Sequence, residues 1–165
     1  MANTQSLCTS VLGELMSAQH QFGASTIVSR TSLTAPTGDT FKAALYLTTA
    51  TKNAGTTAFT TSDATEVSGT GYTSGGVAVT TATVPTSTNS SATAGVGFVT
   101  PSASITYTTV TLNTAFDAVL IYNSTQSNKA VSVHTFGSQT ITAGTFTLTM
   151  PSNTTSTALL RLATT

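Results

Sequence analysis

Threonine fills about a quarter of the positions in this chain, and that one bias narrows the fold more than any motif does. A side chain branched at Cβ is stiff at χ1, loses freedom in a helix and packs well on a pleated surface. Glu, Lys, Gln and Arg, which favour helices, are scarce. Charged residues make up only 6% of the sequence, against roughly a quarter in ordinary soluble domains. Low charge here does not mean disorder, because apolar residues reach 39% and the net charge is zero, the reverse of a disordered composition. A length of 165 residues fits one domain with a single core. Its surface must then be built largely from Thr, Ser, Ala, Gly and Asn. Free monomers normally carry mixed charges and a net charge away from zero, so this surface suits close, repetitive packing against other subunits.

The same numbers exclude several functions. The five basic residues, Arg30, Lys42, Lys52, Lys129 and Arg161, are spread singly along the chain. A nucleic-acid binder needs a clustered basic footprint, so none is expected. No apolar run approaches the ~20 residues of a membrane span, and residues 1–22 lack the basic start of a signal peptide. The lone Cys8 cannot form an intrachain disulfide and reads as a small buried hydrophobe. Asn-x-Ser/Thr matches at Asn89, Asn123 and Asn153 are expected by chance in a chain so rich in Thr and Ser.

Hydrophobic spacing predicts one helix over residues 4–22. Leu7, Cys8, Val11, Leu12, Leu15 and Met16 fall on one stripe, Asn3 or Thr4 can cap its start, and Gly23 can stop it. This helix either covers the domain's own sheet or contacts a neighbouring subunit; Leu7, Val11, Leu12, Leu15 and Phe22 are the candidate contact residues. Beyond it the signals are strands and turns. A short strand is expected at 25–30, then one at 40–49 with Phe41, Ala43, Leu45 and Leu47 on one face and Lys42, Ala44, Tyr46 and Thr48 on the other. Residues 50–76 read as loop, 77–84 as a strand ending at Pro85, and 86–95 as surface loop. Strands follow near 96–100, 103–112, 115–123 and 129–137. Residues 139–150 form one strand or a hairpin, depending on whether Ala143–Gly144 turns the chain, and 157–162 closes the set. Residues 116–122 are apolar on both faces apart from Asp117, which marks a central strand or one covered by another subunit. The expectation is a mainly β protein: an N-terminal helical arm, 1–25, and a single antiparallel β-sandwich or jelly-roll-like domain, 26–165. Its core should include Phe41, Leu45, Leu47, Val119, Ile121, Val131, Val133, Phe146 and Leu148.

No catalytic centre, metal site or cofactor site is legible. His20 and His134 lack a third ligand at metal spacing. Asp63 and Glu66 are close in sequence but lie in a Gly/Thr loop, where a solvated role is expected. No Gly-x-Ser-x-Gly elbow is present. Gly69-x-Gly71 begins like a dinucleotide fingerprint, yet Ser74 takes the third glycine's place and a strand follows where a helix is required. Those glycines serve a tight turn.

Two stretches, 40–47 (TFKAALYL) and 66–76 (EVSGTGYTSGG), together resemble a pattern in small virion proteins of tailed bacteriophages. There a Phe-x-x-Ala-Leu strand precedes an acidic-Val-Ser-Gly-x-Gly-Tyr-x-x-Gly-Gly turn. Segments 116–123 and 131–151 are of the same style. The resemblance implies a structural component of the particle at head, neck or tail, with no catalytic residues to carry over. The leading expectation is a capsid decoration or cement protein located in the virion, bound to the major capsid protein or another virion protein. A homo-oligomer is expected, a trimer by preference, because capsid lattices offer three-fold positions. A neck, tail or fibre component is the alternative within the particle. A β-sandwich binding glycans or a cell surface is the alternative outside that class; it would need Tyr46, Tyr72, Tyr107 or Tyr122 as exposed stacking platforms.

Overall fold

The computed structural model describes residues 3–8, 15, 20, 22, 38–80, 85–88 and 95–163. Over these the protein is mainly β, and every strand pairing is antiparallel. The strands are β1 (Ser6–Leu7), β2 (Phe41–Leu47), β3 (Val77–Val79), β4 (Thr86–Ser87), β5 (Val96–Val99), β6 (Ile105–Asn123), β7 (Lys129–Leu148) and β8 (Leu160–Ala163). They form a five-stranded sheet in the order β1-β7-β6-β2-β3 and a three-stranded sheet in the order β4-β5-β8.

Among the described residues the helix expected over 4–22 is not seen. Ser6 and Leu7 are extended and pair with Val133 and Ser132 of β7, so the segment starts as a sheet edge. Leu7, Leu15 and Phe22 of the expected stripe pack on the core, and at Ser6–Leu7 the ladder with β7 outweighs the helical spacing. Val11 and Leu12 lie outside the described residues, as do the strand expected at 25–30 and residues 81–84. Thr86–Ser87, read as loop, pairs with Phe98 and Gly97.

The dominant element is the β6–β7 hairpin, with strands of 19 and 20 residues. Four strands expected from the sequence fuse into two because their breaks are bulges rather than turns. Between Tyr107↔Phe146 and Val110↔Gly144 the extra residue lies on β6; between Val110↔Gly144 and Leu112↔Ile141 it lies on β7. Thr109 (φ 53°) and Ala143 (φ 49°) take the left-handed conformation these bulges need. Ala143–Gly144 therefore bends the strand without reversing it.

Residues 116–122 form a central strand, between β2 and β7. One face carries Phe41, Ala43, Leu45, Val119, Ile121 and Val131 in the larger core. The other carries Ala44, Tyr46, Ala118, Leu120, Tyr122 and Val133, with Cys8, Ala50 and Phe59 laid over them. The 48–76 segment thus supplies the cover for the second face. Phe59 stacks on Tyr122 with ring centroids 4.6 Å apart, and backbone bonds from Phe59 to Asn128 and from Ala130 to Thr57 fix it there. The two-faced apolar strand is satisfied within the chain and calls for no partner. Of the expected core, Leu47, Phe146 and Leu148 are only half-buried; the others are buried.

Leu159 and Leu160, at the start of β8, pack on the larger core, as do Leu7, Leu15 and Phe22. The junction between the two sheets is loosely filled, with small apolar cavities lined from both sides.

Candidate interaction surface

The Glu66–Gly76 turn is the most tightly built part of the surface. Glu66, expected in a solvated loop, is buried, and its carboxylate accepts hydrogen bonds from the Tyr72 hydroxyl at 2.9 Å, the Ser74 hydroxyl at 2.7 Å and the Gly75 amide at 2.6 Å. The Tyr72 hydroxyl in turn accepts from the Leu45 amide. Desolvation and the neighbouring Glu66 charge both push the Tyr72 phenol far above its ordinary value. Glycine is required where the turn meets the sheet. A Cβ on Gly76, at φ 71°, would lie 1.6 Å from the Ala43 carbonyl oxygen, and one on Gly71 would lie 2.2 Å from that of Thr109. The turn is a clamp on β2 and β6, built by close backbone approach. Sequence reading missed the role of Glu66; the signal available was a pair of hydroxyl donors, Tyr72 and Ser74, shortly after the acid.

The other polar residues are likewise engaged in structure. Asp63 pairs with Lys52 at 2.7 Å, and burial opposes its ionised form less than the bonds from Lys52 and Thr65 favour it, so its carboxyl stays below the usual value. Lys52 also lies over the Tyr46 ring, 4.4 Å from its centroid. Asp117 accepts from Asn3 at 2.6 Å. His20 is buried, stacks on Phe22 and meets the Asn123 amide at 3.0 Å. His134 bonds to the Ser132 hydroxyl at 2.9 Å, and burial pulls its imidazole down to about 4. Among the described residues no three His, Cys, Asp or Glu side chains gather where a metal ion could be held. Asn123 is fully buried, so the sequon it starts presents no acceptor to solvent.

The tyrosines offer no platform. Tyr46, Tyr107 and Tyr122 are at most 2% exposed, Tyr107 and Tyr122 donate to the carbonyls of Ala43 and Gly75, and Tyr72 is tied to Glu66. The feature on which a glycan-binding reading rested is absent from all four.

Of the candidate contact residues, Leu7, Leu15 and Phe22 come together, half-buried, on an apolar cleft of about 140 Å³ that β5 and β8 close from the other side. They cover the domain's own core first.

The distal half of the hairpin, residues 105–116 of β6 and 135–148 of β7, is committed on one face only. It contains no charged side chain. One face packs inward through Tyr107, Phe116, Phe136 and Phe146, whose rings meet at 5.1–6.1 Å. The exposed residues include Thr106, Thr108, Thr114, Gln139, Thr140 and Thr142. β1 and Cys8 cover β7 over 131–133, and no described strand pairs with the outer edge from residue 134 on.

Comparison with known protein families, curated proteins and solved structures finds no match for this chain.

Proposed function

We propose that the protein is a structural component of a tailed-bacteriophage virion, seated on the shell as a decoration or cement protein, and that its two sheets are the layers of a β-sandwich. The observation that carries the functional reading is the distal hairpin: a long antiparallel edge without a charge along it, with which no described strand pairs beyond residue 133. Soluble proteins blunt such edges with Lys, Pro or a covering loop. An edge left open and neutral suits a chain that is stored against other subunits. Thr and Gln side chains next to it can pack by methyl or methylene and bond by hydroxyl or amide at a wet interface, and no ion is desolvated there without a partner. The sandwich reading rests on Leu159 and Leu160 of the small sheet's side packing on the core of the large one. Glu66, His20 and His134 each serve hydrogen bonds that hold the fold, which fits a structural role. Occupancy as a trimer at three-fold positions remains part of the proposal.

Quantitative mass spectrometry of purified particles tests it. Hundreds of copies per particle support a shell component, whereas about six to eighteen move the protein to the neck, baseplate or a fibre. Particles that lack the chain altogether overturn the reading.

A further inference from the structure

The ladder between β1 and β7 stops short of where the backbone could carry it. Ser6 pairs with Val133 and Leu7 with Ser132, and the Cys8 amide donates to the Val131 carbonyl. Bonded rungs of an antiparallel pair fall on alternate residues. They therefore lie at Cys8–Val131 and Ser6–Val133, and the next in line is Thr4–Thr135. Thr135 faces Ala118 across the β6 side, and by the same alternation its N–H and C=O point away from β6. No described strand pairs with β7 there.

The rung is missing because Thr4 is bonded elsewhere. Its amide donates to the Lys52 carbonyl at 2.9 Å, and its carbonyl accepts from the Ser6 hydroxyl at 3.3 Å. Asn3 fastens this arrangement with both ends of its side-chain amide. The nitrogen donates to the Leu47 carbonyl at 3.1 Å and to the Asp117 carboxylate at 2.6 Å, and the oxygen accepts from the Lys52 amide at 2.9 Å. The bond to an ionised carboxylate is the strong member of the set. Residues 3–5 thus leave the edge of β7 and run toward β6 and the end of β2. The Thr4 N–H has two backbone acceptors in prospect, Lys52 and, along the ladder, Thr135, and the Asn3 clasp selects the first.

We propose that residues 3–5 form a strap with two seats. In the observed seat Asn3 holds the strap across the sheet, and β7 is left without it from residue 134 on. In the second seat Thr4 completes the ladder with Thr135, and the strap closes the start of that edge. Moving between seats trades the Asn3 and Thr4 bonds for ladder bonds, so whatever weakens the clasp shifts the population toward the closed edge. Asn3 is accordingly a positioning residue for the edge. The consequence for assembly rests on the proposed function: a strap in its second seat occupies the beginning of the edge offered to a neighbouring subunit and holds the protein back from assembling.

The test follows the Thr135 amide by hydrogen–deuterium exchange in the purified full chain. Asn3→Ala should slow its exchange by at least about tenfold, because freeing the strap forms the missing rung. A purely structural Asn3 gives the opposite sign, since lost bonds loosen the segment. Asp117→Ala, which removes one bond of the clasp, should slow exchange by a smaller factor and serves if Asn3→Ala does not fold. In a Cys8→Ala background, Thr4→Cys with Thr135→Cys should form a disulfide several-fold faster once Asn3→Ala is added. Opposed residues of a bonded rung stand about 5.5 Å apart, within disulfide range. The cross-linked protein should fail to enter particles and recover on reduction. Unchanged or faster exchange at Thr135 in both variants overturns the inference, as does a cross-linking rate that Asn3→Ala leaves unaltered. Normal incorporation of the cross-linked protein overturns the strap's part in assembly. A chain absent from particles sinks the virion role and leaves the two seats standing, so the two readings fail separately.

Discussion

The two halves of the β6–β7 hairpin share strands and composition but are held in opposite ways. The proximal half, residues 117–123 and 129–134, is buried on both faces and has β1 and β2 along its edges. The distal half, 105–116 and 135–148, packs one face, and no described strand pairs with β7's outer edge there. The fold is therefore secured at one end of the hairpin and displayed at the other. Threonine serves both ends, since its branched carbon keeps a strand extended whether or not the strand is covered.

The largest expected effect lies at the clamp beside the proximal half. Gly76→Ala places a methyl against the Ala43 carbonyl at a positive φ, so β2 must shift or the turn must open. A loss of more than about 4 kcal/mol is expected, the range of exceptional single substitutions, read as a large fall in the chemical-denaturation midpoint. A normal midpoint would show that the turn does not clamp the sheet.

Next comes a direct contrast between the halves. Leu120→Ala removes a fully buried proximal side chain and should cost about 3–4 kcal/mol, within the range for such truncations. Phe146→Ala in the distal half removes a larger but half-buried ring and should cost about 2 kcal/mol, below the 3–5 expected of a buried Phe. Equal losses in equilibrium unfolding would erase the distinction.

At the boundary between the halves stands His134. Its folded imidazole titrates at about 4, below the ordinary 6.5, because burial disfavours the cation. The unfolded chain binds this proton first, so the neutral form's contribution is complete above about pH 6.5 and is lost as pH falls toward 4. At about 1.4 kcal/mol per unit over roughly 2.5 units the loss is at most about 3.5 kcal/mol. His134→Gln should flatten that part of the stability–pH curve; an unchanged curve would assign the loss to other groups.

The smallest effect on folding is expected at the open edge. Thr140→Ala and Thr142→Lys, both at exposed positions, should change stability by no more than about 0.5 kcal/mol. Thr142→Lys should nevertheless reduce incorporation into particles, because a charge on the edge opposes strand pairing and desolvation. Normal incorporation would place the contact elsewhere.

The sequence made the proximal half legible for a definite reason. Alternation in 41–47 and the two-faced apolar run at 116–122 are direct consequences of a central strand. What it concealed depends on tertiary placement. Leu7 at a helical spacing from Val11 reads as a stripe, yet β7 draws Ser6–Leu7 into a ladder. Glu66 in a Gly/Thr loop reads as solvated until three donors are folded around it. The bulge at Ala143 resembles a turn because both features use the same positive φ, and the one at Thr109 lies inside a stretch that reads as an unbroken strand.

Hydrogen–deuterium exchange on the free protein and on the same protein assembled in particles, resolved by peptide, tests the central claim most directly. Amides of 129–134 should be protected in both states. Those of 137–148 that face away from β6 should exchange quickly in the free protein and become protected on assembly. Fast exchange of 137–148 in the particle, or equal protection in the dilute free protein, would contradict the assignment of the distal hairpin as the assembly surface.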